Sequence, residues 1–163
     1  MKTGAVTTRR ARVEDAGIAA YLLCDSIRDL CHADHRGDPA LLASWLANKT
    51  EENFRRWFAD PGVTVLLAEC DGTLAAVGAI GVEGEARGEI MLNYVAPAMR
   101  WRGASKALVA ALEDEARGLG LGRVHLASTA TARSFYRALG YRDSGPVVEA
   151  FGLTAYPMAR DLV

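Results

Sequence analysis

The segment Glu89-Ile-Met-Leu-Asn-Tyr-Val-Ala-Pro-Ala-Met-Arg-Trp-Arg-Gly-Ala-Ser105 runs straight from an apolar extended stretch into the most regular amphipathic stretch of the chain. Residues 87–95 read as a strand. From Ser105 to Leu119, Leu108, Val109, Leu112, Ala116 and Leu119 fall on one stripe at helical spacing. A strand that delivers a small-residue loop to a helix N-terminus favours an anion there. The first-turn N–H groups have no intrahelical acceptor, and the helix dipole adds about half a positive charge. Gly103 admits close approach of a ligand, Ala104 and Ser105 add little bulk, and Arg100, Arg102 and Lys106 add positive charge. An ordinary strand-to-helix loop with solvated arginines fits the same local pattern.

Working outward, Val6 to Arg12 reads as a strand, and Glu14-Asp15 heads a helix carrying Ile18, Leu22, Ile27 and Leu30. Residues 32–39 are turn-like. A second helical region runs from Leu41 to about Phe58, where Thr50 is a candidate N-cap that would divide it. Val63 to Cys70 and Leu74 to Val82 form a strand pair around Asp71-Gly72, a strong hairpin signal. After the long helix, Arg123 to Ser128 reads as a strand and Ala130 to Leu139 as a short helix stopped by Gly140. The tail, 141–163, reads as a final pair of strands. The order β-α-α-β-β-β-α-β-α-β-β predicts one α+β domain over residues 1–163, with helices flanking a mixed, mostly antiparallel sheet.

Composition narrows the function classes. The 163 residues are 50% hydrophobic, and 19 Lys+Arg balance 20 Asp+Glu. No basic excess draws in nucleic acid or an anionic membrane surface, and no apolar run approaches the ~18 residues of a membrane span. Three cysteines and no signal-like start predict reduced thiols and a cytoplasmic location. Cys31-His32-x-x-His35 has metal-capable side chains but no second ligand pair, so no metal is expected.

Two motifs give the chain a family resemblance. Val95-x-Pro97-x-x-Arg100-x-x-Gly103-x-Ser105 resembles the pyrophosphate-binding segment of the GNAT superfamily of N-acetyltransferases. Downstream, Thr129-x-x-Ala132-x-x-Phe135-Tyr136-x-x-Leu139-Gly140-Tyr141 is similar to that superfamily's Asn-x-x-Ala-x-x-Phe-Tyr-x-x-Leu-Gly-Phe signature. Three positions depart from the pattern: Ser105 for Gly or Ala, Thr129 for Asn, and Tyr141 for Phe.

The resemblance implies an acetyl-CoA-dependent N-acetyltransferase with a small-molecule or peptide amine acceptor. It implies that the backbone of Asn93, Tyr94 and Val95 binds the pantetheine arm where two strands splay, and that amides from Trp101 to Lys106 hold the pyrophosphate. Arg100, Arg102, Thr129, Arg133 and Tyr136 are the further cofactor-contact candidates. A homodimer is also compatible with the family. A non-catalytic acyl-CoA sensor of the same fold is the alternative.

Acetyl transfer needs a neutral amine. A lysine-like ammonium, pKa near 10.4, is deprotonated at pH 7 only about once in 2,500, a deficit of roughly 4.6 kcal/mol that a base partly offsets. Glu89, eleven residues before Arg100 and followed by Ile90, resembles the placement of the family's catalytic glutamate. Strand alternation predicts Glu89, Met91, Asn93 and Val95 on one face. Tyr136 is the general-acid candidate, since a phenol stays protonated at pH 7 and can donate to the departing thiolate.

Overall fold

The computed structural model describes residues 4–150 and 152–162. Its strands are β1 (Val6–Arg10), β2 (Val63–Cys70), β3 (Thr73–Glu83), β4 (Arg87–Val95), β5 (Arg123–Ser128), β6 (Arg142–Asp143), β7 (Val148–Ala150) and β8 (Leu153–Asp161). Its helices are α1 (Ala16–Leu30), α2 (His32–His35), α3 (Pro39–Leu46), α4 (Glu51–Ala59), α5 (Ala104–Gly118) and α6 (Arg133–Ala138).

The strands lie in the order β1-β2-β3-β4-β5-β8-β6, with β7 paired to β8. Among the described residues only β4 and β5 run parallel; every other pairing is antiparallel. The predicted α+β class and mixed sheet therefore stand. At the β2–β3 turn, Asp71 and Gly72 adopt φ of +50° and +79°, the paired positive values of the hairpin turn that best matches strand twist.

Two features refine the sequence reading. The second helical region is divided into α3 and α4, each with its own cap. Asp38 accepts from the Ala40 and Leu41 amides, and Thr50 accepts from Asn53. The tail supplies three strands where a pair was expected. β6 and β7 are short, and neither has the alternating burial by which a strand is recognised, because both are exposed throughout.

The sheet is covered on both faces. On one side α5 buries Leu108, Val109 and Leu112 with Ile90, Val124, Tyr136, Tyr141 and Met158. On the other, α1 buries Leu22, Leu23 and Ile27 with Trp45, Phe54, Leu67, Val77 and Leu92. Burial of each such side chain contributes roughly 1.5–3 kcal/mol, and β2, β3 and β4 each give side chains to both cores.

Candidate active site

β4 and β5 share only three rungs, Arg87↔Arg123, Gly88↔Val124 and Glu89↔His125. Beyond Glu89 each stays with its other neighbour: β4 follows β3 as far as Val95, and β5 follows β8 as far as Ser128. The divergence has a local cause. Ala79 pairs with Leu92 and Ile80 with Ile90, so Met91 is an extra residue, a β-bulge that bends β4 away.

A narrow hollow of about 50 Å³ opens between Ile90–Tyr94 and Leu126–Thr129, floored by Ala132 and Tyr136. It shares Asn93, Tyr94, Thr129 and Ala132 with a larger cavity of about 460 Å³ that extends over the start of α5.

The bulge also changes which side chains face the same way. Ile90 packs toward α5, whereas Met91 and Leu92 both pack toward α1; Asn93 and Val95 then face α5 again. A Cβ on Gly88 would meet Ile80 and Leu121 of the α5-side core, so alternation places Glu89 with Met91 on the opposite side. The expected single face of Glu89, Met91, Asn93 and Val95 is therefore split in two. Glu89 sits at the last rung before the opening and borders neither hollow.

The start of α5 differs from those of α3 and α4. Gly103 occupies its cap position with φ +82°, and no side chain caps the first-turn amides. Those donors face the cavity lined by Arg100, Trp101, Gly103, Ala104, Ser105 and Lys106. Open space surrounds the point where a Cβ on Gly103 would project, so its positive φ rather than crowding calls for glycine.

Tyr136, on α6, is buried, and its Oη accepts a hydrogen bond from Asn93 Nδ2 at 3.1 Å. Burial pushes the phenol up to about 12, and the Asn93 donor pulls the other way. Asn93 Oδ1 is buried with no hydrogen-bond partner, an acceptor left open at the wall between the two hollows.

Thr129, where Asn is usual, accepts from the Ala132 amide at 3.1 Å. Its hydroxyl therefore holds the turn into α6. Asp34 of α2 ties the same turn down by accepting from the Ala130 and Thr131 amides at 2.7 and 3.3 Å and from the Thr131 hydroxyl.

Of the residues expected at the site, Asn93, Tyr94, Val95, Arg100, Trp101, Gly103, Ala104, Ser105, Lys106 and Thr129 line the large cavity, and Tyr136 lines the narrow one. Arg102 is exposed and lines neither. Arg133 is also elsewhere: its Nη2 is 3.0 Å from Asp143, and its guanidinium lies over the Tyr156 ring at 4.4 Å. The opposing wall is formed by Ser26 and Leu30 of α1 and by Cys31 just beyond it; of these, the sequence reading places only Leu30 on the helix's apolar stripe. Helical spacing cannot distinguish a stripe buried against a sheet from one that also edges a cavity. Burial, with Asp34 adding in the same direction, pushes the Cys31 thiol up to about 12, which makes it wall rather than nucleophile.

His35, singled out with Cys31 and His32, is engaged at both ring nitrogens. Nδ1 accepts from the Gly37 amide at 3.0 Å, and Nε2 lies 3.2 Å from the Ile27 and Arg28 carbonyls. It plugs the end of α1. No helix among the described residues is long and apolar enough to cross a membrane.

Comparison with known proteins agrees with this architecture. A curated relative, an "IAA acetyltransferase" of Azospirillum brasilense, is 35% identical over 92 residues, a match spanning 54% of this chain and 60% of that protein's length. A GCN5-related N-acetyltransferase of Rhodopseudomonas palustris superposes with a TM-score of 0.79 at 25% identity, covering 99% of this chain and 98% of that one. The PaiA N-acetyltransferase of Thermoplasma acidophilum, solved with coenzyme A, superposes with a TM-score of 0.80 at 17% identity, covering 97% and 99%. The profile of the acetyltransferase (GNAT) domain matches residues 31–162, and the chain belongs to that family.

Proposed function

We propose that the chain is an acetyl-CoA-dependent N-acetyltransferase that moves an acetyl group onto a primary amine by direct attack in a ternary complex. The observation that carries this reading is the opening of β4 from β5 beside a helix whose first-turn amides no side chain caps. An extended arm ending in a diphosphate matches that pair of features. Beyond Glu89 the β5-facing edge of β4 lacks a strand partner, so Asn93–Val95 can take an amide-bearing arm as an added strand. The open Asn93 Oδ1 suits an amide N–H, and the α5 amides with Arg100 and Lys106 suit the diphosphate.

In the reaction the amine nitrogen bonds to the thioester carbonyl carbon and the C–S bond breaks. The amine's proton passes to a base, and the sulfur leaves as thiolate. Glu89, on the α1 side of the opening, is the base, acting directly or through water. Tyr136 approaches from the α5 side, so the bulge at Met91 sets the two groups on opposite faces of the cleft. Asn93 Nδ2 donates to the Tyr136 oxygen, which leaves the phenol's own proton free for the thiolate. A thiolate whose thiol has a pKa near 8.5 is too weak a base to take the proton of a phenol held near 12; that transfer is uphill by roughly 5 kcal/mol. Tyr136 therefore stabilises the thiolate as a hydrogen-bond donor more than by giving up its proton.

The acceptor wall in this reading is residues 24–58 with residues 143–157, as the family resemblance implies. Titration calorimetry with acetyl-CoA, followed by thiol-release assays over polyamines, aminoglycosides, amino acids and peptide N-termini, tests the reading. Absence of binding up to millimolar acetyl-CoA rejects it. Binding without thiol release from any amine leaves an acyl-CoA-binding domain of the same fold.

A further inference from the structure

Trp101 is the most exposed large apolar side chain among the described residues, at 88%. Its backbone φ is +66°, a left-handed conformation that glycine adopts freely and a bulky residue disfavours. Exposure and backbone strain thus coincide at one residue on the rim of the large cavity. A strained residue at a cavity edge points to a role that offsets the strain. One face of the indole is already covered by Arg100, whose Cζ lies 4.7 Å from the ring centroid. The neighbouring α5 amides and Lys106 form the anion cradle. An occupant that suits all of these is a flat aromatic base joined to phosphates.

We infer that Trp101 is the stacking platform for the purine base of a nucleotide-bearing acyl carrier, its Arg100 partner fixing the indole's orientation. The inference rests on the acetyl-CoA reading and extends it to the far end of the ligand. It makes the indole, and not only the amide beneath it, a determinant of nucleotide affinity.

The test compares the wild type with W101G and W101F. Glycine accepts the positive φ, so W101G keeps the loop conformation, and phenylalanine keeps a stacking face. Calorimetric titrations use coenzyme A, adenosine 3′,5′-bisphosphate as its nucleotide part, and pantetheine as its arm. The expected result is a fall of roughly five- to a hundredfold in W101G affinity for coenzyme A and for the bisphosphate, the scale of base–aromatic stacking. Pantetheine affinity should stay unchanged, and W101F should recover most of the loss. Trp45 is buried and Trp57 half-buried, so iodide quenching of wild-type fluorescence should be largely relieved by the bisphosphate.

If W101G binds coenzyme A as tightly as the wild type, the inference is overturned while the acetyl-CoA reading survives. An equal loss for pantetheine and coenzyme A also overturns it, because Trp101 would then be shaping the loop. A change confined to self-association, read by sedimentation, would reassign the indole to a contact between copies. A wild type that binds no coenzyme A defeats both readings.

Discussion

Asn93 Nδ2 lies 3.1 Å from Tyr136 Oη, joining β4 to α6 across the gap left by the departing β5. The bond fixes which way the phenol's proton points. It also spans 43 residues of sequence, so the two strands part while the Tyr136 phenol keeps a partner on β4.

Replacing Tyr136 with Phe is expected to lower kcat by about 10²-fold while coenzyme A affinity changes less than threefold. Asn93→Ala should lower kcat less and weaken coenzyme A binding as well, since it removes both the Tyr136 donor and the open acceptor. Steady-state kinetics paired with calorimetry separate the two. Equal turnover in Y136F would remove the donor role.

Glu89→Gln should reduce kcat/KM for the amine at neutral pH by about 10²- to 10⁴-fold, with the loss shrinking as pH rises and more amine is neutral without help. A pH–rate profile of E89Q that parallels the wild type would place the base elsewhere, for example on a water chain.

Gly103→Ala forces a side chain into φ +82° and should cost about 1–2 kcal/mol of stability by chemical denaturation. Coenzyme A affinity should fall at least tenfold, because the cradle amides must reorient. Unchanged affinity would show that the α5 N-terminus does not hold the phosphates.

Glu113, buried on α5, accepts from the Tyr141 hydroxyl at 2.9 Å and from Arg160 at 3.0 Å. The Tyr in place of Phe at 141 thus finds a partner, and α5 is bolted to β8. Tyr141→Phe should cost about 1–2 kcal/mol, and Glu113→Ala about 2–4 kcal/mol with Arg160 and Tyr141 left unpaired. Urea unfolding measures both.

Burial raises the phenols of Tyr94, Tyr136 and Tyr141 above the ordinary value of 10. A group whose folded pKa is raised contributes stability that is complete below its unfolded pKa and is lost as pH climbs toward the folded one. Stability should therefore decline between about pH 10 and 12. Absorbance at 295 nm should show these three ionising together with unfolding, and a native-state rise with the amplitude of all five tyrosines would contradict the burial.

The chain's linear order already specified much of this protein. The bounds of β2, β4 and β5, the Asp71-Gly72 turn, the Thr50 cap and the glycine-bearing loop into α5 all depend on neighbours within a few residues, so local chemistry reveals them. The two motifs around Arg100 and Phe135-Tyr136 carried the family resemblance, because each is a short run of residues readable without the fold.

Three decisions were left to the tertiary structure. Strand alternation alone would keep Glu89 and Asn93 on one face; the extra residue at Met91 is visible only against the register of β3. A free helix-surface guanidinium and one held between Asp143 and Tyr156 look alike at Arg133 until β6 and β8 come together beside α6. The α1 end, with Ser26 and Cys31, became a cavity wall only when packing brought it opposite the α5 loop. Sequence encodes near-neighbour geometry directly, whereas register shifts, long-range ion pairs and cavity walls arise from contacts between segments far apart in the chain.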